Sequence, residues 1–119
     1  MNEILLALQT LRLSAVPEEK EIHDAIAQAL SKANIAYVHE ARIAPHKRLD
    51  FLCGSIGIEV KKGKPDRSAL LEQCRRYLNE EVLDALIVVS QRPCTLPKEM
   101  LGKKLIMFPI DRLWGISLP

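Results

Sequence analysis

Apolar residues fall along this chain in patterns that predict a run of distinct elements. Ile4, Leu5, Leu8 and Leu11 recur at helical spacing, which predicts a short helix over residues 3–12 with one apolar face. Pro17 suits the first turn of a second helix, with Glu18 and Glu19 beside the positive end of its dipole. Ile22, Ala25, Ile26, Ala29 and Leu30 form its buried stripe, and Asn34 is a natural stop. From Ile35 the spacing changes to that of extended chain, through Tyr37 and Val38 to about Ile43, and Pro45 breaks the strand. Between Arg48 and Lys61, Leu49, Phe51 and Cys53, then Ile56, Ile58 and Val60, each alternate with period two. Gly54 and Ser55 lie between the triplets as a two-residue hairpin loop with glycine first. That register sets Cys53 against Ile56, Phe51 against Ile58 and Leu49 against Val60, all on one face.

Asp66 then serves as N-cap for a helix from about Arg67 to Asn79, with Leu70, Leu71, Cys74 and Leu78 inward. Ala85 to Val89 is almost wholly apolar, as in a strand covered on both faces. A loop with Pro93 and Pro97 follows, with a helical turn expected at Pro97–Leu101. Leu105–Phe108 reads as a last strand and Ile110–Pro119 as a docked tail. The order predicts an α/β fold, a mixed central sheet flanked by helices, in one domain over residues 1–119.

The other face of the hairpin carries the chemistry. Asp50 stands opposite Glu59, with Lys61 two residues along on the same face. A longer loop, Gly54 to Gly57, would set Asp50 against Lys61 and leave all three on that face. Opposed carboxylates repel, and a hard divalent cation removes the repulsion, since Mg²⁺ takes one or two carboxylates, water and phosphate oxygen. Phosphodiester hydrolysis needs an acidified water and a neutralised phosphate. Asp50 and Glu59 would hold the metal, and Lys61 would orient or deprotonate the water and offset charge in the transition state. Glu40, on the preceding strand, and Glu21, in the second helix, are further candidate ligands. His39 and His46 have no partner at ligand spacing and receive no role.

Composition narrows the classes. Of 119 residues, 48% are apolar and only 4% aromatic, so an aliphatic core is expected. A net charge of +2 is too mild to announce nucleic-acid binding, which has to rest on local placement. Cys53, Cys74 and Cys94 lack zinc or iron–sulfur spacing, which implies reduced thiols, no iron–sulfur cluster and a cytoplasmic protein. No basic segment precedes the apolar N-terminal residues, and no run approaches bilayer length, so neither signal peptide nor membrane is expected.

Asp50, then Glu59-Val60-Lys61 on a hairpin, with a helix and strand before and a helix and strand after, resembles the αβββαβ core of PD-(D/E)XK nucleases. Gln73-Cys74-Arg75-Arg76-Tyr77 in the following helix is similar to the Gln-x3-Tyr element of the RecB-like and phage-type branch. Positions i and i+4 share a helical face, so amide and phenol would contact phosphate or steady the metal-bearing strand. The resemblance covers about residues 17–90, and Leu49 stands where the family name has proline. It implies a restriction-endonuclease-like fold and a Mg²⁺- or Mn²⁺-dependent deoxyribonuclease of repair, recombination or phage DNA processing. The archaeal Holliday-junction resolvase branch is also similar and favours Glu21 as an extra ligand, whereas the RecB-like branch favours His23 with Gln73 and Tyr77.

Lys61, Lys62, Lys64, Arg67, Arg75 and Arg76 cluster around these positions and could track DNA phosphates without reading bases. So small a chain offers little surface to grip a duplex, which makes a homo-oligomer or a partner protein the expectation. The competing reading is a non-catalytic nucleic-acid- or protein-binding module on the same fold.

Overall fold

The computed structural model describes residues 1–111. The elements are α1 (Asn2–Leu8), α2 (Glu19–Lys32), β1 (Val38–Ala44), β2 (Lys47–Cys53), β3 (Ile56–Lys61), α3 (Arg67–Leu78), β4 (Ala85–Ser90), β5 (Glu99–Met100) and β6 (Lys103–Pro109). They build an α/β domain on a mixed six-stranded sheet of order β1-β2-β3-β4-β6-β5. Strands β1, β2 and β3 run antiparallel in succession, β3, β4 and β6 run parallel, and β5 closes antiparallel on β6. Helix α3 is the crossover that the parallel β3–β4 pair requires.

Each helix ends for a local reason. Helix α1 stops at Leu8, short of the expected Arg12, where the Thr10 hydroxyl donates to the Ala7 carbonyl at 2.6 Å. Leu11 is buried all the same, just past the helix. Pro17 is buried ahead of α2 and lies outside it: the N-cap is Glu18. At the far end Asn34 takes φ 59°, Ile35 N–H donates to Leu30 at 2.9 Å, and Asn34 N–H donates to Ser31 at 3.1 Å. That pair of bonds is the Schellman arrangement, with asparagine as its left-handed residue. Asp66 occupies the N-cap of α3 as expected, but its side chain makes no capping bond.

The core has two halves. Ile4, Leu8, Ile22, Ile26 and Leu30 from α1 and α2 pack on Phe51, Ile58, Val60, Ile87 and Val89 of the sheet. Ile22, Ile26 and Leu30 have 0% exposure, and full burial of such a side chain stabilises by roughly 1.5–3 kcal/mol. The other half joins Leu70, Cys74, Tyr77 and Leu78 of α3 to Leu49, Leu86, Val88 and Leu105. Alternate residues of β4 thus serve opposite layers, which explains its unbroken apolar run.

Two turns differ from expectation. Pro97–Leu101 is not a helical turn: Glu99 and Met100 form β5, which reverses into β6 through Leu101 at φ 55° and Gly102 at φ 75°. Two successive positive φ angles mark the hairpin turn that a right-handed strand twist favours. The hairpin at Gly54-Ser55 forms as expected, with Gly54 at φ 61°, Cys53 opposite Ile56 and Phe51 opposite Ile58. Leu49, however, leaves that apolar face and joins the core half under α3. Its δ-methyl lies 2.7 Å from the point where a Cβ on Gly57 would stand, so any side chain there would force Leu49 to shift. Ile110 is buried in the first core half, while positions 112–119 of the expected tail lie outside the described residues. Among the described residues no helix is long and apolar enough to cross a membrane.

Candidate metal-dependent site at the opened strand pair

The ladder between β2 and β3 pairs Cys53, Leu52 and Phe51 with Ile56, Gly57 and Ile58, and goes no further. Beyond it, side chains replace backbone partners. The Val60 N–H donates to Asp50 Oδ2 at 2.7 Å, and the Asp50 N–H donates to Glu59 Oε1 at 3.2 Å. Each carboxylate therefore caps an amide of the opposite strand, and the two acids are held together where the strands part. The edge strand is irregular as well. Glu40, flanked by the pairs His39–Phe51 and Ala41–Leu49, takes φ 57°, a left-handed backbone that locally breaks strand alternation.

Helix α3 buttresses the acid pair. Gln73 Nε2 donates to Glu59 Oε2 at 3.2 Å and to Tyr77 Oη at 3.2 Å, and Tyr77 Oη donates to the Arg48 carbonyl at 3.0 Å. The i, i+4 spacing thus sends one chain of bonds from α3 across to the backbone of β2. Lys61 Nζ stands 3.6 Å from Glu59 Oε2. On the opposite side, His23 Nε2 of α2 lies 3.8 Å from Asp50 Oδ1.

Electrostatics follow from burial. Glu59 is buried, and desolvation, reinforced by the Asp50 charge, pushes its carboxyl up to about 7 against the pull of Lys61. Tyr77 is pushed up to about 12 by burial first and by Glu59 second, which keeps its phenol a proton donor to Arg48. Cys74 is pushed up to about 11, chiefly by burial, and Cys53 likewise to about 11. These two thiols sit in opposite core halves.

Of the residues singled out from sequence, Asp50, Glu59, Lys61, Gln73, Tyr77 and His23 come together. Glu21 does not: both its carboxylate oxygens accept from Ser14, each at 2.7 Å, which ties it to the segment after α1. Glu40 stands beside His23 and His39 rather than beside Glu59, with Arg48 at 3.2 Å from its carboxylate. The basic residues divide. Lys62 pairs with Glu18 at 2.9 Å and Arg67 donates to the Thr95 carbonyl at 2.7 Å. Lys64, Arg75 and Arg76 are exposed, and Arg76 lines a cleft of about 330 Å³ with Lys61, Pro65, Asp66 and Gln73.

One residue escaped the sequence reading. His39 stacks on Phe51 with centroids 4.5 Å apart and meets His23 Nδ1 through its Nε2 at 2.9 Å. Sixteen positions of sequence separate the two histidines, so no local spacing could have paired them. No family model, curated protein or solved structure matches this chain, and its chemistry has to be read from its own residues.

Proposed function

We propose that the protein is a divalent-metal-dependent nuclease that hydrolyses DNA phosphodiester bonds at Asp50, Glu59 and Lys61. The observation that carries this is the acid pair itself. Two carboxylates from neighbouring strands converge where the ladder opens, and the buried one, Glu59, has its pKa raised to about 7, by burial first and by the Asp50 charge second. A hard cation of the Mg²⁺ or Mn²⁺ type fits this donor set, because oxygen ligands and two negative charges are what such ions take and the repulsion ends when one binds. Asp50 and Glu59 would hold it. When bound, it lowers the pKa of water and offsets charge on phosphate oxygens.

The remaining work falls to the chain's own side chains. Lys61, beside Glu59 at 3.6 Å and open to the cleft that Arg76 shares, offers an ammonium to a phosphate oxygen or an attacking water. Gln73 holds the Glu59 carboxylate in one orientation, and Tyr77 anchors Gln73 to β2. His23 faces Asp50. The succession α2, β1, β2, β3, α3, β4 agrees with the αβββαβ core of PD-(D/E)XK enzymes and supports a restriction-endonuclease-like fold. Within that superfamily, His23 beside Asp50 and Gln73 on Glu59 favour the RecB-like branch, and the attachment of Glu21 to Ser14 disfavours the resolvase branch.

The test is cleavage of linear, circular, single-stranded and four-way-junction DNA in Mn²⁺ and in Mg²⁺. Asp50→Ala and Lys61→Ala are each expected to lower the rate by roughly 10²-fold or more while leaving the fold intact by circular dichroism. Metal-independent DNA binding with no cleavage of any substrate would point instead to a binding module and overturn the proposal.

A further inference from the structure

On the far side of Asp50 from Glu59, a cleft of about 400 Å³ opens between α2 and β1, lined by Glu19, Lys20, His23, Asp24, His39, Glu40 and Asp50. One ligand atom each from His23, His39 and Glu40 lies within 4.8 Å of the others. Two imidazoles and a carboxylate differ in kind from the all-oxygen acid pair. Nitrogen donors select zinc-class ions, whereas Mg²⁺ prefers oxygen.

The backbone shapes this grouping. Consecutive strand residues normally point to opposite faces, so His39 and Glu40 should diverge. The left-handed φ of 57° at Glu40 breaks that alternation and lets both side chains reach the same ion. Glutamate takes such a backbone at a cost that glycine or asparagine would avoid. His39 is further held by its stack on Phe51, a residue with 0% exposure, so its ring is positioned by the core. The Arg48 partner of Glu40 is no obstacle, because both side chains are more than half exposed and such pairs break readily. Lys20, the cleft's cation, is already paired with Asp24 at 2.8 Å.

We infer that His23, His39 and Glu40 form a second metal site, for a first-row transition ion of the zinc class, distinct from the Asp50–Glu59 site. The ion takes His23 Nδ1 and His39 Nε2, the nitrogens that face each other at 2.9 Å, together with a Glu40 oxygen. Three protein ligands leave a coordination position for water or an incoming anion. Ligation at Nδ1 also fixes the His23 tautomer. Its Nε2 then carries the proton and lies between Asp50 Oδ1 at 3.8 Å and Glu19 Oε1 at 3.9 Å, beyond direct hydrogen-bond reach of either, so the site does not depend on Asp50.

The experiment measures Zn²⁺ binding by competition with a fluorescent chelator, and Co²⁺ binding by visible absorption, on the full chain. An Asp50→Asn/Glu59→Gln double variant removes the acid-pair site and is expected to keep one Zn²⁺ equivalent, within about threefold of the wild-type affinity measured in excess Mg²⁺. In that background His39→Phe, which preserves the stack on Phe51, and Glu40→Gln should each weaken Zn²⁺ at least about tenfold and abolish the Co²⁺ bands. Thermal melts of the metal-free variants confirm that folding is retained. Absence of stoichiometric Zn²⁺ binding, its loss in the Asp50→Asn/Glu59→Gln variant, or its survival in both His39→Phe and Glu40→Gln would each overturn the site.

Discussion

Glu59 is the residue on which stability and proposed chemistry meet. Its carboxyl is shifted from an ordinary 4.5 to about 7, by burial first and Asp50 second. The folded protein therefore keeps a proton between those two pH values that the unfolded chain has released. Stability is fully present below the lower value and falls as pH rises through the window. Without divalent metal, urea unfolding at pH 5 and pH 8 should differ by about 1–3 kcal/mol, with the higher pH the less stable. Glu59→Gln should flatten the difference, and saturating Mg²⁺ should reduce it by favouring the ionised pair. A Glu59→Gln profile parallel to the wild type would assign the dependence to another group. The histidines at the α2–β1 cleft make a complementary point about single residues. His23 was legible as a candidate only through the resemblance, and His39 was not legible at all, because its partners are an imidazole and a phenyl ring brought in by tertiary packing.

At the scale of elements, the hairpin of β2 and β3 decides the geometry. Alternating apolar residues and a glycine-led loop predicted its register, and Phe51 opposite Ile58 bears that out. Its departure from regularity was not predictable. Leu49 crosses to the α3 side and rests over Gly57, while the Asp50 and Glu59 side chains take the backbone bonds that the ladder gives up. Gly57→Ala should therefore be costly despite its small size, because the new methyl meets Leu49 at 2.7 Å and contacts Leu86 and Leu83 beyond. The expected loss is about 1–3 kcal/mol in chemical denaturation, with a further fall in any cleavage activity as the strand shifts. Gly54→Ala makes an informative comparison. Nothing crowds that position, so only its positive φ is penalised. If both variants were equally stable as wild type, Leu49 would not be held where it stands.

Across the whole molecule, the placement of charge matters more than its excess. The net charge is only +2, and three of the six basic residues that cluster in sequence are engaged within the protein, Lys61 with Glu59, Lys62 with Glu18 and Arg67 with Thr95. Arg75 and Arg76 remain exposed on α3, and Arg76 shares the cleft that Lys61 enters. If DNA lies along this side, the logarithm of affinity should fall linearly with that of salt, and Arg76→Ala should reduce the slope by about 1. A variant that weakens binding with no change in slope would place its contact elsewhere than on phosphate.

Periodicity, turn residues and caps act over a few positions of chain, so the succession of elements from α1 to β4, the hairpin register at Phe51 and Cys53 and the meeting of Asp50, Glu59 and Lys61 were readable in advance, whereas β5 stands where a helical turn was expected. The α3 pair of Gln73 and Tyr77 was readable for the same reason, since one helical turn relates them. The parting of β2 from β3, the crossing of Leu49, the turning of Glu21 to Ser14 and the approach of His39 to His23 depended on surfaces far apart in sequence. Each was settled by how the layers close on one another, because only the packed sheet and helices decide which side chains share a volume and which backbone amides must find a new acceptor.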